Sequence, residues 1–70
     1  MDRNEILHFE DVIFKMATNK ALFVEIDGID VWLPKLQITF ENMEEASDIG
    51  EVSMPRWLAE AKGLRGDVNR

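Results

Sequence analysis

The chain has 70 residues, no cysteine, and 14 acidic against 8 basic side chains, for a net charge of −6. That length holds a single domain with one core, and the lack of thiols excludes disulfides and thiolate metal centres. The acidic balance disfavours duplex nucleic acid as a partner, because a phosphate backbone is bound by neutralising it.

Residues 1–10 read as a lead-in, with one helical turn after Asp2. Asp2, Arg3, Glu5, Glu10, Asp11, Lys15 and Lys20 interrupt the first 20 residues, so they hold no secretory apolar run. No stretch approaches the roughly 20 apolar residues that span a bilayer. The expected location is therefore cytoplasmic.

Residues 11–34 read as a three-stranded meander. Val12, Phe14 and Met16 alternate with Ile13 and Lys15, a period of two. Thr18-Asn19-Lys20 reads as a turn, and Asn19 is suited to a left-handed conformation. Leu22, Val24 and Ile26 then alternate with Phe23 and Glu25, and Asp27-Gly28 is a two-residue hairpin signal. That hairpin pairs Ile26 with Ile29, Val24 with Val31 and Leu22 with Leu33. A three-residue loop at 18–20 pairs Met16 with Leu22, Phe14 with Val24 and Val12 with Ile26. Both registers put their aliphatic residues on one face, and a one-residue slip in either would break it. The other face carries Phe23 opposite Trp32, Glu25 opposite Asp30, and Lys15 beside Phe23.

Pro34 cannot donate to a ladder, so the third strand ends there or lies at an edge. Residues 35–48 read as a turn, helical over 35–38, then a short extended piece and an acidic loop. Residues 49–64 read as a short strand around Gly50 to Met54 followed by a helix. Ser53 is the expected cap, Pro55 suits the first turn, and Gly63 suits the left-handed stop, with Leu64 as the apolar contact after it. Trp57, Leu58 and Ala61 form the apolar stripe, and so short a helix must dock on the sheet to be stable. Residues 65–70 form a tail, and the chain from Lys62 onward is locally basic, with Lys62, Arg65 and Arg70 against Asp67. The expected fold is α+β: a small antiparallel β-meander of three to five strands, a partly open barrel included, with one short C-terminal helix packed on it.

No pattern assembles a catalytic site. His8, the only histidine, is far along the chain from Ser47 and Ser53, and a serine nucleophile needs both a base and an orienting third group. Asp27 and Asp30 lack calcium-loop spacing, and Asp27 is explained by its turn. The four glycines are too scattered for a phosphate loop. No cofactor and no metal is expected, and the chain reads as a non-enzyme.

Two binding features remain. No basic residue falls between Lys35 and Arg56, whereas Glu41, Glu44, Glu45, Asp48 and Glu51 do. This run reads either as a solvated loop or as a patch that meets a basic protein surface. Phe23 and Trp32, with Lys15, read either as a base-stacking platform for single-stranded nucleic acid or as a second small core beneath the helix and Trp57. Glu25 and Asp30 on the same face oppose a phosphate-facing role.

Two segments, VEIDGIDVWLPKLQI at 24–38 and MPRWLAEAKGL at 54–64, are similar to a group of short bacteriophage and prophage proteins. The chain resembles them in a hairpin that ends Trp-hydrophobic-Pro-Lys-x-Gln-Ile and a Pro-x-Trp-Leu-Ala helix that closes at Lys-Gly-Leu. Leu36 stands where a small polar residue is more usual, and the acidic loop is this chain's own. The resemblance implies a phage-type accessory protein and no specific activity. The function expected is protein–protein interaction, with inhibition of a host nucleic-acid-binding or defence protein through the acidic surface. The alternatives are a single-stranded nucleic-acid module and a structural subunit that self-associates through an open sheet edge.

Overall fold

A computed structural model describes residues 4–64. Strands β1 (Ile6–Ala17), β2 (Ala21–Ile26), β3 (Ile29–Pro34), β4 (Thr39–Glu41) and β5 (Ile49–Pro55) form one antiparallel sheet in the order β3-β2-β1-β5-β4. A short helix α1 (Arg56–Ala61) follows. The fold is therefore α+β, with an open five-stranded sheet.

The β2–β3 hairpin has the register its sequence predicts: Ile26 faces Ile29, Val24 faces Val31, and Leu22 faces Leu33. Asp27 and Gly28 both take positive φ, 53° and 81°, as a primed two-residue turn requires. The β1–β2 turn works differently from expectation. Thr18 Oγ1 accepts from the N–H groups of Lys20 (3.3 Å) and Ala21 (3.1 Å), and the Thr18 N–H donates to the Ala21 carbonyl at 2.8 Å. The threonine hydroxyl stands in for a turn hydrogen bond, and Asn19 is not among the residues with positive φ.

The lead-in is corrected: strand structure begins at Ile6, not Asp11, and Leu7 and Phe9 pair with Met54 and Val52 of β5. Asp2 and the start of the proposed helical turn lie outside the described residues, as does the basic tail 65–70. The alternation of β1 is broken twice. A bulge between Phe9 and Val12, with Asp11 at φ 58°, moves the buried positions from odd to even numbers. A second bulge between Phe14 and Met16 pairs Met16 with Phe23 and Ala17 with Leu22. The expected Met16–Leu22 pair is thus overturned, and Met16 lies on the outer face, 50 % exposed.

The path from β3 to β4 constrains the whole sheet. These strands are its two edges, and only residues 35–38 join them. In a flat sheet the two ends would be about 30 Å apart along the strands and about 19 Å across them. Five chain steps reach at most about 18 Å. The sheet must therefore curl, and the bulges let β1 bend. Lys35–Gln37 makes one 3-10 turn, anchored where the Lys35 N–H donates to the Lys20 carbonyl (2.8 Å), and Ile38 is buried as the chain crosses.

Inside the curl lies one apolar core. Val12, Leu22, Val24, Ile26, Leu33, Val52 and Met54 are its most completely enclosed large members. Among the described residues no polar or charged side chain is buried. The helix closes this core against β5 and β1. Its buried residues are Leu58 and Ala59; Trp57 is partly buried and Ala61 exposed, so the expected stripe is shifted by docking. Pro55 occupies the cap position and Ser53 lies within β5, so the serine cap is also corrected. The stop is as expected. Gly63 has φ 77°, the Leu64 N–H donates to the Ala59 carbonyl (2.8 Å), and the Gly63 N–H donates to the Glu60 carbonyl (3.1 Å). Those two bonds make a Schellman motif, with Leu64 buried beside Leu58 and Ala59 in the core.

Gly50 is required by crowding. A Cβ there would lie 2.6 Å from Met43 Cγ and closer still to the Glu41 carbonyl. Gly50→Ala is expected to destabilise the fold by about 1–3 kcal/mol, as overpacked cores do, and Leu58→Ala by about 2–5 kcal/mol through its cavity. Urea unfolding of both variants checks this; wild-type midpoints would show that the loop and helix do not close the core.

Candidate interaction face

Because α1 and the crossing both lie on the inner side, nothing in the described chain covers the outer face of the sheet. Two register-aligned rows run across it. Trp32, Phe23 and Met16 form one, through the pairs Phe23–Trp32 and Met16–Phe23. Ile13 and Ile49 form part of the next, across β1 and β5, and that row continues across β2 and β3 as Glu25 and Asp30. Trp32 is 42 % exposed and Ile49 62 %. Large side chains in adjoining rows make an exposed apolar patch rather than scattered single residues.

The Phe23 and Trp32 rings lie 4.8 Å apart, tilted by 30°. They stack on each other in the open, and the helix makes its main contacts with β5 and β1. A second core beneath the helix and Trp57 is therefore corrected: Trp57 packs on the inner core instead. Lys15, displaced by its bulge, reaches back over β2 to Asp30 (3.1 Å) and Glu25 (3.5 Å). The hydrogen bond to Asp30 is the largest cause holding its ammonium pKa above the usual lysine value. One lysine thus bridges two carboxylates that face each other across β2 and β3, a pairing that would otherwise repel. Its charge is committed within the sheet.

The five acidic residues separate into different roles. Glu41 and Glu51 face each other across β4 and β5 on the outer face. Glu44 and Glu45 are exposed in the loop. Asp48 is structural: its Oδ2 accepts from the Glu45 N–H (2.8 Å) and the Glu44 N–H (2.9 Å). The loop is stitched to β1 beside it, where the Ser47 N–H donates to the Phe14 carbonyl (2.7 Å) and the Phe14 N–H donates to the Asp48 carbonyl (2.9 Å). The structure brings together Glu41 and Glu51 but places Asp48 in a different task.

His8 is brought to the residues from which sequence distance separated it. Its Nδ1 lies 2.8 Å from Ser53 Oγ, and its Nε2 lies 3.3 Å from Glu51 Oε1 and 4.0 Å from Glu10 Oε2. A serine, a histidine and a glutamate are thereby linked in series. Ser53 sits between β1 and β4, paired on both sides. A lead-in at residues 1–10 would not form this cluster; a strand from Ile6 does. The alternation of Leu7 and Phe9 with His8 and Glu10 was its signal.

No protein-family model, no curated protein and no solved structure matches the chain. Among the described residues no helix is long and apolar enough to cross a membrane.

The loop offers a pH test. Hydrogen bonds from the Glu45 and then the Glu44 N–H lower the Asp48 pKa below its ordinary 3.8. A carboxylate with a depressed folded-state pKa contributes stability above the unfolded value and loses it as pH falls through the folded one. Asp48→Ala should therefore be less stable than wild type at neutral pH, with the gap closing as the pH falls below 3.8. Thermal midpoints of both proteins from about pH 7 to about pH 2 check it. A pH-independent gap would show that the carboxylate charge plays no part.

Proposed function

We propose that the chain acts by protein–protein interaction, docking its uncovered sheet face against a partner that presents an apolar anchor inside a basic rim. The Trp32–Phe23–Met16 row carries this reading, since aromatic residues and methionine are enriched where partners bury surface. Charge selects the partner. Glu10, Glu41 and Glu51 border the patch, Glu44 and Glu45 lie in the neighbouring loop, and the net charge is −6. Carboxylates in place of phosphates suit a nucleic-acid-binding protein, whose basic surface would be steered to this face and blocked by it.

This reading is of a piece with a bacteriophage or prophage accessory protein that inhibits a host protein in the cytoplasm, without catalysis. Base stacking by Phe23 and Trp32 is the weaker reading, because Lys15 is paired with Glu25 and Asp30 and so does not offer phosphate an uncommitted cation. Self-association through the β3 edge is the other outcome to distinguish.

Affinity capture from bacterial lysate, with mass spectrometry and then binding kinetics on the captured protein, tests the proposal. Trp32→Ala should cost about 2 kcal/mol or more in binding, as central anchors do. Replacing Glu41, Glu44, Glu45 and Glu51 with Gln should slow association and flatten its salt dependence. Binding of single-stranded oligonucleotide, strengthened by those Gln substitutions, would replace the proposal with base stacking. Capture of only the chain itself would point to the β3 edge.

A further inference from the structure

We infer that His8, Glu10 and Glu51 form a binding site for a divalent transition-metal ion on the outer face of the sheet. One ligand atom from each side chain lies within 4.8 Å of the other two. Ligands bonded to Zn2+ at about 2.0–2.2 Å in a tetrahedron stand roughly 3.3–3.6 Å apart, so closure takes about 1 Å of movement by exposed carboxylates. The strands bring the three residues together: His8 pairs with Ser53 of β5, and Glu51 lies two residues back along that strand. Glu10 arrives through the Phe9–Val12 bulge, an irregularity that bends the strand and re-aims its side chains.

Two further features point to a cation. The first is orientation. Ser53 Oγ engages Nδ1 of His8 and leaves Nε2 directed at the carboxylates. A metal-binding histidine is commonly held this way, with one ring nitrogen on a polar partner and the other on the ion. The second is uncompensated charge. Glu41 faces Glu51 directly across β4 and β5, an arrangement that repels when nothing offsets it. Among the described residues, lysine and arginine ion pairs go to Glu5, Glu25, Asp30 and Glu60, and none goes to Glu10, Glu41 or Glu51. A shallow cleft of about 70 Å³, lined by His8, Thr39, Phe40, Glu41, Glu51 and Ser53, adjoins the site and has room for the water that completes coordination.

The donor set selects the ion. One imidazole nitrogen with carboxylate oxygens suits Zn2+ and its first-row neighbours, whereas Mg2+ and Ca2+ take all-oxygen shells. Ser53 acts as a positioning residue and Glu41 as an outer carboxylate. The site does not depend on any protein partner, and its failure would leave the proposed interaction face untouched.

The test is titration of Zn2+ into the full chain by calorimetry, with the His8 ring nitrogens followed by NMR. One ion per chain is expected, with a shift at Nε2 and none of that size at Nδ1. His8→Gln and Glu51→Gln should each weaken binding by more than about tenfold, and Ser53→Ala by about tenfold. Glu44→Gln should leave the affinity unchanged, and excess Mg2+ should not displace the ion. Circular dichroism of each variant separates lost binding from lost fold. The absence of binding at millimolar Zn2+, equal affinity in folded His8→Gln and Glu51→Gln, or displacement by Mg2+ would overturn the site.

Discussion

The crossing at residues 35–38 governs this molecule. It joins opposite edges of a five-stranded sheet with a segment too short to span the sheet laid flat, so the sheet has to curl around whatever lies inside. β1 bears most of that bending. It pairs with β2 through its second half and with β5 along most of its length, and its two bulges relieve what would otherwise be a straight ribbon of 12 residues. Ile38 and Met43, from the segments around β4, and Leu58, Ala59 and Leu64, at the helix, then fill the interior. A domain of this size has little core to spare, and all of it lies on one side of the sheet.

The same economy leaves the outer side uncovered. A single six-residue helix can seal the inner core but cannot also cover Trp32, Phe23 and Met16. Antiparallel sheets commonly show one solvated face, and that face is ordinarily polar. Here it is mixed. The Trp32–Phe23–Met16 row lies beside one that runs Asp30, Glu25, Ile13, Ile49, whose two acids Lys15 bridges, and the cluster of His8 and carboxylates lies farther along. The proposed basic partner with an apolar centre would match that composition better than a phosphate backbone would.

Equal formal charge hides unequal roles. Asp48 spends its carboxylate on two backbone N–H groups and thereby orders the loop that carries Glu44 and Glu45. Glu51 lies against His8, and Glu41 repels it from the adjoining strand. Only hydrogen-bond geometry distinguishes the acid that builds the loop from the acids that remain available on it. The order of the loop matters in turn for any partner, since preformed charge costs less entropy to engage than charge on a disordered segment.

Local chemistry in the sequence determined the β2–β3 hairpin, its register, the facing Phe23 and Trp32, the 3-10 turn and the helix stop at Gly63. Each depends on residues a few positions apart: Asp27-Gly28 sets its own turn, and a slipped register would expose Val24 and Leu33. The sequence also made the acidic run visible, though not its division of labour. Tertiary structure decided the rest. A bulge shifts the period-two pattern by one residue, so Leu7 and Phe9 cannot be phased with Val12 and Phe14 until β5 is seen beside them. Met16 moves to the outer face for the same reason. The meeting of His8 with Ser53 and Glu51 is separated by more than 40 residues of chain, and no local propensity encodes it. It follows from β5 returning to pair with β1, which the short crossing and the closing of the core compel.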